Sequence, residues 1–544
     1  MPLTALGHDH GHGHSSHASE AHGYDHKQIA ALLAALEPPK EAQAPEGARV
    51  TVHAAVSRFS VLYERIRNAV EYREDHLLRK GAIERILKRQ LVLETDPHVI
   101  ANHLVRELIG ARYLPNGVLP DQCITEAAIR VRKYQAIARM RAGNDRHVRW
   151  LLGVVAAELE DLLANPVREK ALISFLYEQL ADRVTVKNAP FEDTERRLQV
   201  YVACYRALVK ADEASVGYKL LRAYVPEWTR PEEWIDHPRA MAERLVGVHG
   251  RIQDRLRHPL SQRFLRAVKP WAVSLSLLTE ALLEEKHREE LLESSEELHT
   301  ALAHVTERRE REARGKLRRG TLRAMVYLFI TKIIFAVILE IPIEKWFYDE
   351  WSTHALTINL LLPPVLMFFV GLFIRPPGLE NRRQILKGAE DLLKRNGIPA
   401  REIRAPARRR GMALFLMNIL YMLTFLLTFG LVGVGLWRLD FTIVATTIFF
   451  FFLCVVSFFG YRLRQTAREI MVIQPKERLT STLIDFLSLP ILRAGQWLSQ
   501  TVSRLNVFVF LFDFLIEAPF KICLNILEDW LSFIKEKKEE LSEE

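Results

Sequence analysis

Residues 321–342, TLRAMVYLFITKIIFAVILEIP, are the feature that most constrains this chain. They form an apolar run long enough to cross a hydrocarbon core about 30 Å thick, which takes roughly 20 helical residues. Three further stretches qualify, at 355–374, 412–437 and 441–460. In lipid a segment must satisfy its own backbone, so each is expected to be a helix. The expected fold is all-α: a cytoplasmic multi-helix domain, then a polytopic membrane domain of about four spans, then C-terminal amphipathic or re-entrant helices. The mean hydropathy of −0.01 hides this division, because a polar half is averaged with an apolar one.

The short flanks of the spans set an orientation. Eight basic residues lie between Arg308 and Arg323, eleven between Arg375 and Arg410, and Arg462, Arg464 and Arg468 follow the fourth span. The loop 343–354 offers only Lys345, against Glu344, Asp349 and Glu350. Basic flanks stay cytoplasmic, so an integral protein of a bacterial-type plasma membrane is expected, with both termini inside. The net charge of +9 gathers beside the apolar runs. That pattern suits the anionic leaflet of a bilayer as partner, and no nucleic acid. The first residues lack the pattern of a cleavable signal peptide, and four scattered cysteines fit a reducing compartment.

Lys332 is the most specific clue inside a span. It lies nine residues past Arg323, about 13–14 Å into the core at 1.5 Å per residue. A Lys there costs roughly 2.5–3.5 kcal/mol on insertion scales and calls for a partner. Glu340 stands about 12 Å further along a straight helix, so Asp513 and Glu517 are the preferred partners. Lys332, Glu340, Asp513 and Glu517 are therefore the intramembrane charge candidates. Pro363-Pro364 is expected to kink or break the second span. Gly430, Gly433 and Gly435 are expected to allow close packing of the third.

The chain divides into a His-rich tail and linker (1–47), a cytoplasmic helical domain (48–274), a long charged juxtamembrane helix with coiled-coil character (275–320), a four-span domain (321–478), an amphipathic or re-entrant segment (479–534) and a charged tail (535–544). Within 48–274, helices are expected at about 125–141, 146–163, 167–183, 192–210, 213–223 and 232–257. Asp96 is expected to cap a helix that starts at Pro97. The basic run Arg130, Arg132, Lys133, Arg139 and Arg141 reads as a surface helix. No period-2 alternation suggests a sheet. In the tail, His8, His10, His12, His14 and His17 match no closed zinc site. They either solubilise the chain or gather Zn or Ni weakly, and no resident cofactor is expected.

No catalytic motif is found, so a non-enzymatic scaffold, interaction or assembly protein is expected. Its partner would be an unknown protein or a second copy. The alternative is a cation or proton channel or transporter using the intramembrane charges. No histidine follows His354, which weakens a zinc pathway.

Overall fold

The computed structural model describes residues 26–37, 49–52, 60–61, 64, 74–140, 143–188, 191–348, 353–374, 378–394, 397–405, 411–467, 471–472, 489–497, 526, 530, 533 and 534. In chain order its elements are α1 (His26–Leu36), α2 (Asp75–Leu93), α3 (Pro97–Gly110), α4 (Gln122–Arg139), α5 (Asp145–Leu163), α6 (Val167–Leu180), β1 (Val184–Lys187), α7 (Asp193–Leu208), α8 (Glu213–Tyr224), α9 (Pro238–Leu256), α10 (Ser261–Glu284), α11 (Arg288–Glu293), α12 (Ser295–Phe335), a π-turn (Ala336–Glu340), α13 (Ile341–Tyr348), α14 (Thr353–Phe373), α15 (Leu379–Leu393), β2 (Arg401–Arg404), α16 (Met412–Trp437) and α17 (Ile443–Ala467). They form two compact units. One draws on Met1–Ala272, Asp391–Arg404 and Phe508–Glu544, the other on Val273–Glu390 and Ala405–Val507.

The first unit is built around α5. Its middle, WLLGVVAAEL, is buried on nearly every side, as a helix apolar all round must be. It packs against α2, α4 and α8, and one continuous apolar core runs from Val50 to Leu256. The Asp96 carboxylate accepts from the His98 amide at 2.8 Å, with Pro97 in the first turn. Helix α9 begins at Pro238, later than its pattern implied, because Pro231–Glu233 forms a separate 3-10 turn.

A small sheet departs from the sequence reading. β1 and β2 pair in parallel, Val184 opposite Arg401 and Lys187 opposite Arg404. Four residues per strand, with REIR mostly charged, give no sustained alternation. The juxtamembrane region also differs. In place of one helix from 275, the chain breaks after Glu284, makes α11 and restarts at Ser294, which caps α12. The Arg308 and Arg309 guanidiniums both bind Glu280, which precedes the break. Leu298, Leu302 and Val305 of α12 are buried within the chain itself.

Among the described residues four helices are long and apolar enough to cross a membrane: Ser295–Trp346, Leu356–Phe373, Leu414–Trp437 and Ile443–Arg464. The first runs unbroken from its charged half into its apolar half. Helix α14 continues through Pro363 and Pro364 without interruption. The ends of the spans sort themselves by contacts. Arg382, beyond the second span, forms a two-pronged ion pair with the buried Glu310, ahead of the first. The Val472 amide, beyond the fourth span, donates to the Asn381 side chain at 2.8 Å. At the other end the Thr442 hydroxyl donates to Glu344 at 2.7 Å.

Close packing does not use the glycines of α16. A Cβ at Gly430 or Gly435 would meet open space, and one at Gly433 would only touch Phe450 at 3.9 Å. Three other glycines are used instead, in rotation. Gly320 of α12 receives Leu463 of α17, Gly460 of α17 receives Val370 of α14, and Gly371 of α14 receives Thr321 of α12. An added Cβ would fall 2.8, 2.8 and 2.4 Å from those side chains. Small residues let helix backbones approach where lipid supplies no hydrophobic drive. Gly371→Ala should therefore destabilise the purified protein by about 1–3 kcal/mol, while Gly430→Ala leaves it unchanged. Thermal unfolding in detergent reads both.

Candidate functional site

Lys332 is fully buried and its ammonium donates to Glu340 Oε2 at 2.9 Å. The sequence reading had set Glu340 aside as too far along a straight helix. The π-turn Ala336–Glu340 removes that objection. A π-turn absorbs one extra residue, so eight residues advance as about seven do in an α-helix. Seven steps of 100° return within about 20° of the starting face. Glu340 therefore points the same way as Lys332, and two long side chains close the remaining axial gap. Asp513 and Glu517, the partners expected for Lys332, lie outside the described residues, as do His8, His10, His12, His14 and His17.

The pair is part of a larger polar cluster. The Asn359 amide of α14 donates to the second carboxylate oxygen of Glu340 and, at 3.4 Å, to the Ala445 carbonyl of α17. Phe452 of α17 presents its ring 5.0 Å from the Lys332 ammonium, within the range of a cation–π contact. One residue pair on α12 and its π-turn thus reaches both neighbouring spans. Asn359 is the one amide in the second span, and a polar side chain at that depth is signal enough to include it. Pro363 lacks an amide hydrogen, so it leaves the Asn359 carbonyl, four residues back, without its helical donor. The Asn359 Oδ1 is buried without a partner among the described residues.

The first unit holds two buried polar groups that sequence reasoning missed. Lys133, read as a surface residue, is 2% exposed. It donates to Glu158 at 2.5 Å and to the Trp228 carbonyl at 3.1 Å, while the Trp228 indole donates to Glu158 at 3.0 Å. Burial pushes the Lys133 ammonium below its usual range, against the pull of Glu158. Lys133 lies one turn from the buried Ile137, so it shares the apolar face. Arg132, which pairs with Asp236, lines an open groove of about 580 Å³ with His98, Gln135 and Arg139.

The second group joins His147 of α5 to His249 of α9. Their Nδ1 atoms are 3.1 Å apart, and Trp150 stacks on His249 with ring centroids 4.3 Å apart. Such a contact needs one imidazole to donate and the other to accept, so the two rings cannot both be charged. These residues are 102 positions apart, and no local pattern announces the meeting. Among the described residues no group of three or more metal-ligating side chains occurs. No family model, no curated protein and no solved structure matches this chain.

Two outcomes follow. Breaking one partner of a buried pair costs about 3–5 kcal/mol, so Lys332→Glu and Glu340→Lys should each lower the unfolding temperature sharply. The double swap should recover most of the loss, since the Asn359 amide can turn its oxygen towards the relocated ammonium. Burial lowers both histidines, His249 to about 4, with His147, Arg146 and Arg257 adding to its shift. The folded state then binds fewer protons than the unfolded chain. Stability should be intact above pH 6.5, fall as pH drops from 6.5 towards 4, and level off below. His249→Phe should flatten that acid limb in thermal unfolding at pH 7.5 and 5.0.

Proposed function

We propose that this chain is an integral membrane protein that holds a helical interaction domain at the cytoplasmic face, acting as a non-enzymatic scaffold or assembly protein. The observation that carries this reading is the closure of the Lys332 charge within Glu340 and Asn359, three side chains that are 0%, 1% and 0% exposed. A relay needs a charge that exchanges partners, whereas here the cluster joins three spans. The contacts Glu310–Arg382 and Asn381–Val472 support one common side for the basic flanks, and basic flanks favour the cytoplasm. After its second span the chain supplies β2 to the first unit, so that unit connects to the membrane part at more than one point along the sequence.

The second reading, a proton or cation pathway, is favoured by one observation: the buried, unpartnered Asn359 Oδ1 beside an ion pair and a π-turn. Purified full-length protein in liposomes separates the two. The scaffold reading expects proton and potassium fluxes no greater than those of protein-free vesicles. A flux that Glu340→Gln abolishes would overturn it in favour of transport. Interaction assays need the whole chain as bait, because residues 1–315 lack β2.

A further inference from the structure

We propose that the α12 surface around Arg318, Arg319 and Arg323 is a binding site for an anionic phospholipid. The proposal rests on the reading that α12 enters a bilayer. Its face is defined by what is buried: Leu317, Thr321, Ala324 and Leu328 point into the protein. The opposite face carries the three arginines, all exposed, and then Leu322, Val326 and Ile330, which are 60%, 50% and 51% exposed. At 100° per residue these six positions fall within an arc of about 140°. One stripe therefore changes from cationic to apolar within two helical turns, with no break in the helix.

That sequence of chemistries matches one molecule. A phospholipid lying along α12 would set its phosphate among the guanidiniums and its acyl chain over Leu322, Val326 and Ile330. The arginines are free for this task. The arginines of α12 that form ion pairs are Arg308, Arg309 and Arg311; among the described residues none is formed by Arg318, Arg319 or Arg323. Guanidinium forks suit phosphate oxygens. A soluble phosphate would gain from the arginines alone, whereas a lipid also covers the apolar half of the stripe. Each cation at a membrane surface is worth roughly fivefold in affinity for anionic lipid.

The test is native mass spectrometry of the full-length protein released from uncharged detergent with phosphatidylglycerol, phosphatidylcholine or glycerol 3-phosphate added. Wild type should retain phosphatidylglycerol well above phosphatidylcholine. Arg318→Gln with Arg319→Gln should lower that retention by roughly 25-fold, the product of two such cations, while the paired Arg→Lys variant keeps most of it. Equal retention of the two lipids by wild type overturns the site, and so does a glutamine variant that binds like wild type. Displacement of phosphatidylglycerol by glycerol 3-phosphate would point to a phosphate site and overturn the lipid assignment. Retention of neither lipid would overturn the site while leaving the bilayer reading of α12 in place.

Discussion

An ammonium buried among apolar helices must be answered, and the second unit is arranged around the answer. Lys332 could have drawn a partner from a distant segment. It takes Glu340 from its own helix, and the π-turn between them exists at that point. Because the carboxylate has two oxygens, the same group also binds Asn359. Asn359 in turn reaches the Ala445 carbonyl. A local irregularity in one helix thus fixes the rotation of two others. A buried pair is weak evidence of stability gained over an apolar alternative. What it supplies here is contact between three helices, since Glu340 and Lys332 of one meet Asn359 of α14 and Phe452 of α17.

The polar cluster works against a second set of contacts nearer the basic end. There Gly320, Gly371 and Gly460 each accept a side chain from the next helix, so α12, α14 and α17 close as a ring. Helix α16 stands apart from this arrangement. Leu426 and Leu431 are 68% and 72% exposed, and its apolar contacts gather near Leu436, against Phe441 and Phe449 of the following turn and span. Helices α12, α14 and α17 form the ring, and α16 packs outside it, with Phe429 against Phe450 of α17 as well as through Leu436.

Much of this was legible in the chain, for identifiable reasons. The four apolar helices were readable because lipid leaves only one backbone solution over such lengths. Helices α4 to α8 were readable because caps and prolines punctuate a strong 3.6-residue pattern. What escaped was whatever depends on a departure from ideal geometry or on distant partners. Glu340 was excluded by straight-helix arithmetic that a single π-turn invalidates. The α16 glycines were chosen for their density, whereas close approach is decided by what stands opposite, as at Gly371. Lys133 was counted as a surface cation because its buried partners, Glu158 and Trp228, come from other helices. The His147–His249 contact spans 102 residues and leaves no periodic trace.

The short parallel pairing of β1 with β2 has a consequence for how the protein is made. Val184 and Arg401 are partners, yet the chain between them includes the whole of the first two apolar helices. A ribosome working from the N-terminus exposes β1 long before β2. The helices of the first unit can pack early, since their contacts are mostly local and close quickly. Its strand β2 arrives only when residue 404 has been synthesised, after two helices apolar enough to cross a membrane have already been made. Pairing of β1 therefore waits on the synthesis of both apolar helices, and a chain stalled before α15 would carry an unfinished edge at β1.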